Sequence, residues 1–246
     1  MTLSRSALFS LLSLSTALSL AAIPLPARAR SLGARWHEMD QRAEQSLLAG
    51  HAAQARRTLD RVIDQMMHEM GPGEASKQAM GIVLMHRALA QAELGYRADA
   101  LWDWAVALNF NAALASEDLS RFGAAGKLLV GHPLRKPGAL GDSGSKPSAS
   151  LSDGDDIEPP KVRHAPRPQF PAGAVQWGHQ GPIVIQAIIS AKGEVTQPLV
   201  FQDLGSATLA YSALEAVRQW KFEPAHLDGK PVSVLYNLKI YYRRGG

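Results

Sequence analysis

The chain of 246 residues contains no cysteine, which excludes disulfide bonds, thiol catalysis and cysteine-ligated zinc sites. The sequence also lacks a Walker loop, a dinucleotide-binding fingerprint and a Gly-x-Ser-x-Gly elbow. Its 8 histidines are scattered, without the spacing to carboxylates that metal ligands show. We therefore predict a binding protein that is not an enzyme and has no cofactor and no metal site.

The chain also has little excess charge. Its 26 Lys and Arg residues stand against 22 Asp and Glu residues. Loss of residues 1–29, which contain Arg5 and Arg28 and no acid, would reduce that small surplus further. Proteins that bind nucleic acids carry a clustered basic surplus, so we predict no nucleic-acid partner.

Residues 1–29 have the features of an export signal. Arg5 provides the positive start, residues 7–22 form an apolar but serine-rich core, and Ala27-Arg28-Ala29 is a cleavage site of the A-x-A type. The apolar run is shorter than the roughly 20 residues that span a bilayer. We expect a signal peptide that is cleaved after Ala29. The alternative is an uncleaved N-terminal helix that anchors the protein in the inner membrane.

Residues 30–130 are predicted to be helical. Gly50, Gly71, Gly73 and Gly95 fall where helices should end, and the segments between them are rich in Ala, Leu, Arg and Glu. The sequences around Gly50 and Gly95 are weakly similar at an offset of 45 residues, a pattern similar to tetratricopeptide-type helical hairpins. A plain helical bundle is the alternative. A helical-repeat surface would suggest a protein partner for this domain.

Residues 131–162 differ in composition from the rest of the chain. Gly, Pro, Ser and Asp dominate this segment, which has almost no aromatic or β-branched residues. Such a segment buries too little apolar surface to offset its conformational entropy. We predict a flexible, disordered linker here, between the helical domain and a C-terminal domain at residues 163–246.

The C-terminal domain is predicted to follow the order ββαβ. The apolar run Pro182–Ile189 predicts a buried first strand, and Pro198 places the second strand at a sheet edge. Ser206 can cap the helix that follows, and the last strand alternates from Val232 to Tyr242. The chain path predicts a three-stranded antiparallel sheet in the order two-one-three, with the long third strand at an open edge. The fold class is therefore α+β.

The predicted helix has a single apolar stripe. We expect this stripe to pack on the sheet, while Glu215, Arg218 and Gln219 face water. The helix must end near Trp220, because Pro224 has no N–H and disfavours helical geometry at Glu223. The residues of the stripe are Leu209, Ala213, Ala216, Val217 and Trp220.

The helix end, a Pro-Ala corner and a glycine turn together form a motif that resembles the C-terminal domain of TonB-type energy transducers. The resemblance covers about residues 163–244. Ala210 departs from it, since the family usually has an acidic residue there, and a cleaved N-terminus would depart from the family's uncleaved anchor. The motif residues, to which we assign a structural role, are Pro171, Gly193, Trp220, Phe222, Pro224, Ala225, Gly229 and Pro231.

The resemblance implies a periplasmic protein whose partner is an outer-membrane TonB-dependent transporter. In that family, an extended segment of the transporter, the TonB box, adds to the edge of the last strand. An unpaired edge strand is a docking site unless it is blunted. We predict that the partner-binding edge consists of Ser233, Leu235, Tyr236, Asn237, Leu238, Lys239, Ile240 and Tyr241.

Alternatives remain open at this point. The edge could pair with a second copy of the chain, which would give a homodimer, or be covered by the chain's own tail or by the segment around Phe170. The protein could also be a periplasmic scaffold that binds envelope proteins or peptidoglycan without energy transduction. In that case the helical domain would hold a periplasmic protein partner.

Overall fold

A computed structural model describes residues 27–134, 149–150, 157–175 and 178–243. Most of the predicted signal peptide, residues 1–29, therefore lies outside the described residues, as does most of the linker predicted over residues 131–162. Within the described ranges, no helix combines the length and the apolar character needed to cross a membrane.

The N-terminal part is a layer of five α-helices, as predicted, and we call it the helical layer. Two 3-10 turns, at residues 112–116 and 120–122, precede the last of these helices. Gly50 and Gly95 have positive φ angles of 74° and 83°, so each ends a helix at a turn where other residues would be strained. The assignment to tetratricopeptide repeats stays a prediction. The helices are α1 (Ala27–Leu48), α2 (Ala52–Glu69), α3 (Glu74–Glu93), α4 (Arg97–Phe110) and α5 (Gly123–Val130).

The C-terminal part contains the predicted antiparallel sheet. Strands β4 (Gly181–Ile189), β5 (Val195–Gln202) and β9 (Val234–Tyr242) pair in the order β5-β4-β9, which confirms the order two-one-three. Helix α7 (Ala207–Arg218) connects the second and third of these strands along the chain. The Ser206 hydroxyl accepts a hydrogen bond from the Leu209 N–H at 3.4 Å, so Ser206 caps α7 as predicted.

Several short elements surround this sheet. β3 (Lys161–His164) pairs with β6 (Lys221–Glu223). β2 (Ile157–Glu158), β7 (Ala225–Leu227) and β8 (Lys230–Val232) form a small sheet of their own. Residues 157–158 and 161–162, which the composition places in the linker, thus already contribute to strands. Two further short elements are β1 (Ala149–Ser150) and α6 (Ala172–Val175).

Helix α7 is covered on more than one face, which corrects the expectation that the face with Glu215 and Arg218 is exposed to solvent. Nearly all of its residues are buried, and Ala210 and Leu214 have no exposed surface. α3 and α4 of the helical layer contact α7, while β4 and β5 also contact it. Their buried side chains form one continuous apolar cluster. The helical layer and the C-terminal domain therefore pack directly on each other, with α7 as the middle layer.

Candidate functional site

The aromatic motif after α7 fixes the chain where it leaves the helix. The Trp220 indole N–H donates to the Pro166 carbonyl at 3.1 Å, while the buried Phe222 ring packs edge-on against Tyr236 at 6.2 Å between centroids. The Phe222 N–H donates to the Gly193 carbonyl at 2.9 Å. A Cβ atom at Gly193 would overlap the Phe222 carbonyl, and φ is 77° there. Only glycine lets the β4–β5 turn approach this closely.

The remaining motif residues shape the turn that precedes β9. Asp228 and Gly229 occupy the β7–β8 turn with φ of 51° and 74°, conformations typical of a tight hairpin turn. Ala225, buried and paired with Val232, begins this hairpin directly after Pro224, and Pro231 lies opposite His226. Pro171 is buried and its carbonyl accepts the Ala174 N–H at 2.9 Å. The motif therefore sets where the last strand starts.

The side chains of β9 alternate between the core and solvent. Leu238, Ile240 and Tyr242 are buried, whereas Lys239 and Tyr241 are exposed. The Tyr242 hydroxyl donates to the Leu209 carbonyl at 3.1 Å, which ties the strand to α7. Burial raises the pKa of that hydroxyl, so it stays protonated and remains a donor. The strand is thus held rigidly from its inner face.

One long side of β9 pairs with β4 over the whole strand, from Val234 opposite Ile189 to Tyr242 opposite Gly181. On its other side, Val234 and Leu235 pair in parallel with Ala149 and Ser150 of β1. In the part of the chain that the structure describes, residues 236–242 have no strand on that side. We call residues 236–242 the open edge.

Two of the predicted edge residues therefore lie outside the open edge. Leu235 is opposite Ser150, because the chain's own linker supplies a strand there. Ser233 precedes β9, and its hydroxyl accepts the Ala191 N–H at 3.1 Å. The predicted edge therefore began too early in the sequence, since the open edge starts at Tyr236. The other predicted residues, Tyr236, Asn237, Leu238, Lys239, Ile240 and Tyr241, all lie in the open edge.

The opposite edge of the sheet is occupied by the helical layer. The Asn109 side-chain amide of α4 donates to the Pro198 carbonyl at 2.9 Å, and its oxygen accepts the Val200 N–H at 2.7 Å. This pair of bonds imitates the ladder that a neighbouring strand would make with β5. Pro198 indicates an edge from sequence, but no local pattern identifies Asn109 as its cover.

A buried ion pair within the helical layer also forms a hydrogen bond to α7. The Arg87 guanidinium donates to both Asp103 carboxylate oxygens, at 2.6 and 2.9 Å, and to the Tyr211 hydroxyl at 3.0 Å. Burial alone would lower the pKa of Arg87, but Asp103, Tyr211 and Glu215 together outweigh it and raise that pKa. Burial raises the pKa of Tyr211, so its hydroxyl stays neutral. Arg87 is therefore a permanent charge whose partners come from both parts of the molecule.

Further contacts cross the same boundary at its two ends. Lys77 of α3 pairs with Asp203 at 2.5 Å, and the Gly73 N–H donates to the Gly205 carbonyl at 3.2 Å. At the far end, Arg218 of α7 forms an ion pair with Asp99 of α4. These residues correct the expectation that Arg218 faces only water. The boundary is thus pinned along the whole length of α7.

The described residues contain no group of three or more His, Asp or Glu side chains arranged to hold a metal ion. Two grooves lie beside α7. One, of about 700 Å³, runs between α2, the segment 166–172 and α7, and another, of about 650 Å³, runs between α4 and the start of β5. The features that stand out chemically are therefore the open edge of β9 and the boundary at α7.

Comparison with known proteins finds relatives of the C-terminal part. Residues 166–243 match the family described as Gram-negative bacterial TonB protein C-terminal. "Protein TonB" of Vibrio cholerae is 32% identical over 89 residues, which are 36% of this chain and 36% of that protein. "Protein tonB2" of Pseudomonas aeruginosa is 31% identical over 81 residues, which are 31% of this chain and 30% of that protein.

The chain thus spans about a third of the length of the curated relatives it matches. A solution NMR structure of the Pseudomonas aeruginosa TonB CTD covers 40% of this chain and 97% of that chain, at 21% identity and a TM-score of 0.29. The family match covers the ββαβ sheet, its helix and the Trp220–Pro231 motif. Residues 166–243 are therefore the part of this chain that is similar to the TonB C-terminal family.

Proposed function

We propose that this protein binds an extended segment, the TonB box, of an outer-membrane TonB-dependent transporter by adding it as a strand to the open edge of β9. By this binding the protein takes part in TonB-dependent transport or regulates it. The observation that carries the proposal is the run of backbone from Tyr236 to Tyr242, which pairs with β4 on one side and with no described strand on the other. An edge of this kind offers N–H and C=O groups to an incoming chain.

The side chains of the open edge supply selectivity. Asn237, Lys239 and Tyr241 project to the exposed face, and Tyr241 keeps 59% of its surface accessible. A strand added beside them places every second side chain next to this row. The buried Leu238 and Ile240 hold the backbone in place and need not touch the guest.

Hydrogen exchange with and without a synthetic TonB-box peptide tests the proposal. Binding should protect those β9 amides that do not bond to β4, because they gain partners in the added strand, while β5 amides should not change. A peptide of scrambled sequence is the control, and Lys239→Ala and Tyr241→Ala should weaken binding of the true peptide. If the β9 amides gain no protection from exchange at saturating peptide, strand addition at β9 is refuted.

The compartment belongs to the same proposal. We propose export to the periplasm with cleavage after Ala29, so that the mature protein begins at Arg30. Mass spectrometry of the N-terminus of the exported protein checks this directly. A form that retains residues 1–29 would instead support an inner-membrane anchor.

The protein could also bind a periplasmic protein through its helical layer or a second copy of itself through β9. A periplasmic protein bound to the helical layer must use a face other than the one that covers α7. A homodimer through β9 would compete with the transporter segment for the same backbone. Analytical ultracentrifugation with and without the peptide separates these cases, since a dimer held by the open edge should dissociate as the peptide binds.

A further inference from the structure

Glu215 lies in the middle of the boundary between the helical layer and α7. It follows Tyr211 by one helical turn and precedes Arg218 by three residues, and both of those side chains bond to the helical layer. Residues at these spacings share one face of a helix. Glu215 Oε1 is buried and has no hydrogen-bond partner among the described residues. This carboxyl group is therefore not the solvated surface group that the sequence predicts.

The charge of Glu215 disfavours the packed arrangement. Burial raises the pKa of Glu215 and the nearby Asp103 raises it further, while Arg87, Arg218 and the nearby Trp102 side chain offset only part of this. If the helical layer moves away, water reaches Glu215 and its pKa returns toward the ordinary value. The packed form thus binds the proton more tightly than the separated form. Packing is therefore strengthened below the ordinary pKa and weakened as pH rises through the raised pKa.

The charges around Glu215 come from every element packed near it. They include acids and bases, so Glu215 must be tested separately from its neighbours. The groups are Asp60, Asp64 and His68 on α2, Arg87 on α3, Asp99 and Asp103 on α4, His164 on β3, Arg167 in the segment before α6, Tyr211 and Arg218 on α7, and Lys221 on β6.

We propose that the helical layer can separate reversibly from α7, and that Glu215 makes this separation depend on pH. We call the helical layer in this role the latch. Release uncovers the Tyr211 face of α7 and withdraws Asn109 from the Pro198 carbonyl and the Val200 N–H. The sheet then has a second open edge, at β5. The latch goes beyond the proposed transporter binding and does not depend on it.

Thiol labelling measures the latch in the intact protein, because the chain has no cysteine of its own. Ala207→Cys places a probe on α7, fully buried and one turn before Tyr211, while Ala187→Cys places one in the fully buried core of β4. After correction for the thiolate fraction, the Ala207 probe should react faster as pH rises. The increase should begin near the ordinary pKa of a glutamate, reach at most about tenfold per pH unit, and level off above the raised pKa of Glu215. The Ala187 probe, which reports unfolding of the sheet, should not follow it.

The variant Glu215→Gln tests whether Glu215 causes the pH dependence of labelling, since glutamine keeps the shape of the side chain and cannot ionise. It should make labelling at Ala207 slow and independent of pH, whereas Glu93→Gln, at an exposed position, should leave the pH dependence unchanged. Fluorophores on cysteines at the exposed Gln45 and Lys192 give a second readout without a buried substitution. Persistence of the pH dependence in Glu215→Gln overturns the proposal, and so does equal pH dependence at both thiol probes.

Discussion

Replacing Asp103 by alanine tests the buried ion pair of the helical layer, whose Arg87 also donates a hydrogen bond to Tyr211 of α7. Asp103 has no exposed surface, and its carboxylate accepts two bonds from Arg87. The substitution leaves a buried guanidinium with the Tyr211 hydroxyl and with Asp60, whose carboxylate lies 3.4 Å away and is half exposed. Removing one partner of a buried pair costs about 3–5 kcal/mol. Because Asp60 remains as a partner, we expect about 3 kcal/mol of lost unfolding free energy.

Urea unfolding followed by far-UV circular dichroism and tryptophan fluorescence measures this loss. The double variant Arg87→Met/Asp103→Leu should be more stable than Asp103→Ala, because it leaves no uncompensated charge in the interior. As a matched control, Glu38→Ala breaks an exposed pair with Arg42 and should change stability by less than about 1 kcal/mol. A loss below about 1 kcal/mol for Asp103→Ala, or a double variant less stable than the single one, would contradict the reasoning.

Three other substitutions have defined outcomes. Gly193→Ala should cost at least about 2 kcal/mol, because its Cβ would meet the Phe222 carbonyl at a positive φ; thermal unfolding measures the loss. Asn109→Ala should cost about 1–3 kcal/mol, because the Val200 N–H loses its partner, and should speed exchange of that amide. Ala210→Glu, which restores the acidic residue usual in the family, should destabilise the protein, because this position is completely buried; a wild-type urea midpoint would refute this.

The sheet could be predicted from the sequence because its signals are local. The alternation of β9, the apolar run of β4 and the proline in β5 each follow from the period of a strand, and the observed order agrees with them. Gly193 and Trp220 could be identified because their family pattern lies within the domain. Ser206 was identifiable as a cap from its position before the helix.

The boundary at α7 could not be predicted in the same way. Glu215 and Arg218 follow the polar pattern of a solvated helix face, and only the packing of α3 and α4 on that face turns them inward. Asn109 and Arg87 lie 91 and 124 residues from their partners Val200 and Tyr211. No helical or strand period connects positions so far apart. Likewise, the pairing of Ala149 with Val234 comes from a segment whose composition predicts a linker.

That short parallel pairing has a consequence for register. Since Ala149 and Ser150 already lie opposite Val234 and Leu235, a guest strand added as we propose could pair only from Tyr236 onward. A shift of one residue would turn every guest side chain to the opposite face of the sheet. Two residues of the predicted linker would thus help to decide which guest side chains meet Lys239 and which point away from it.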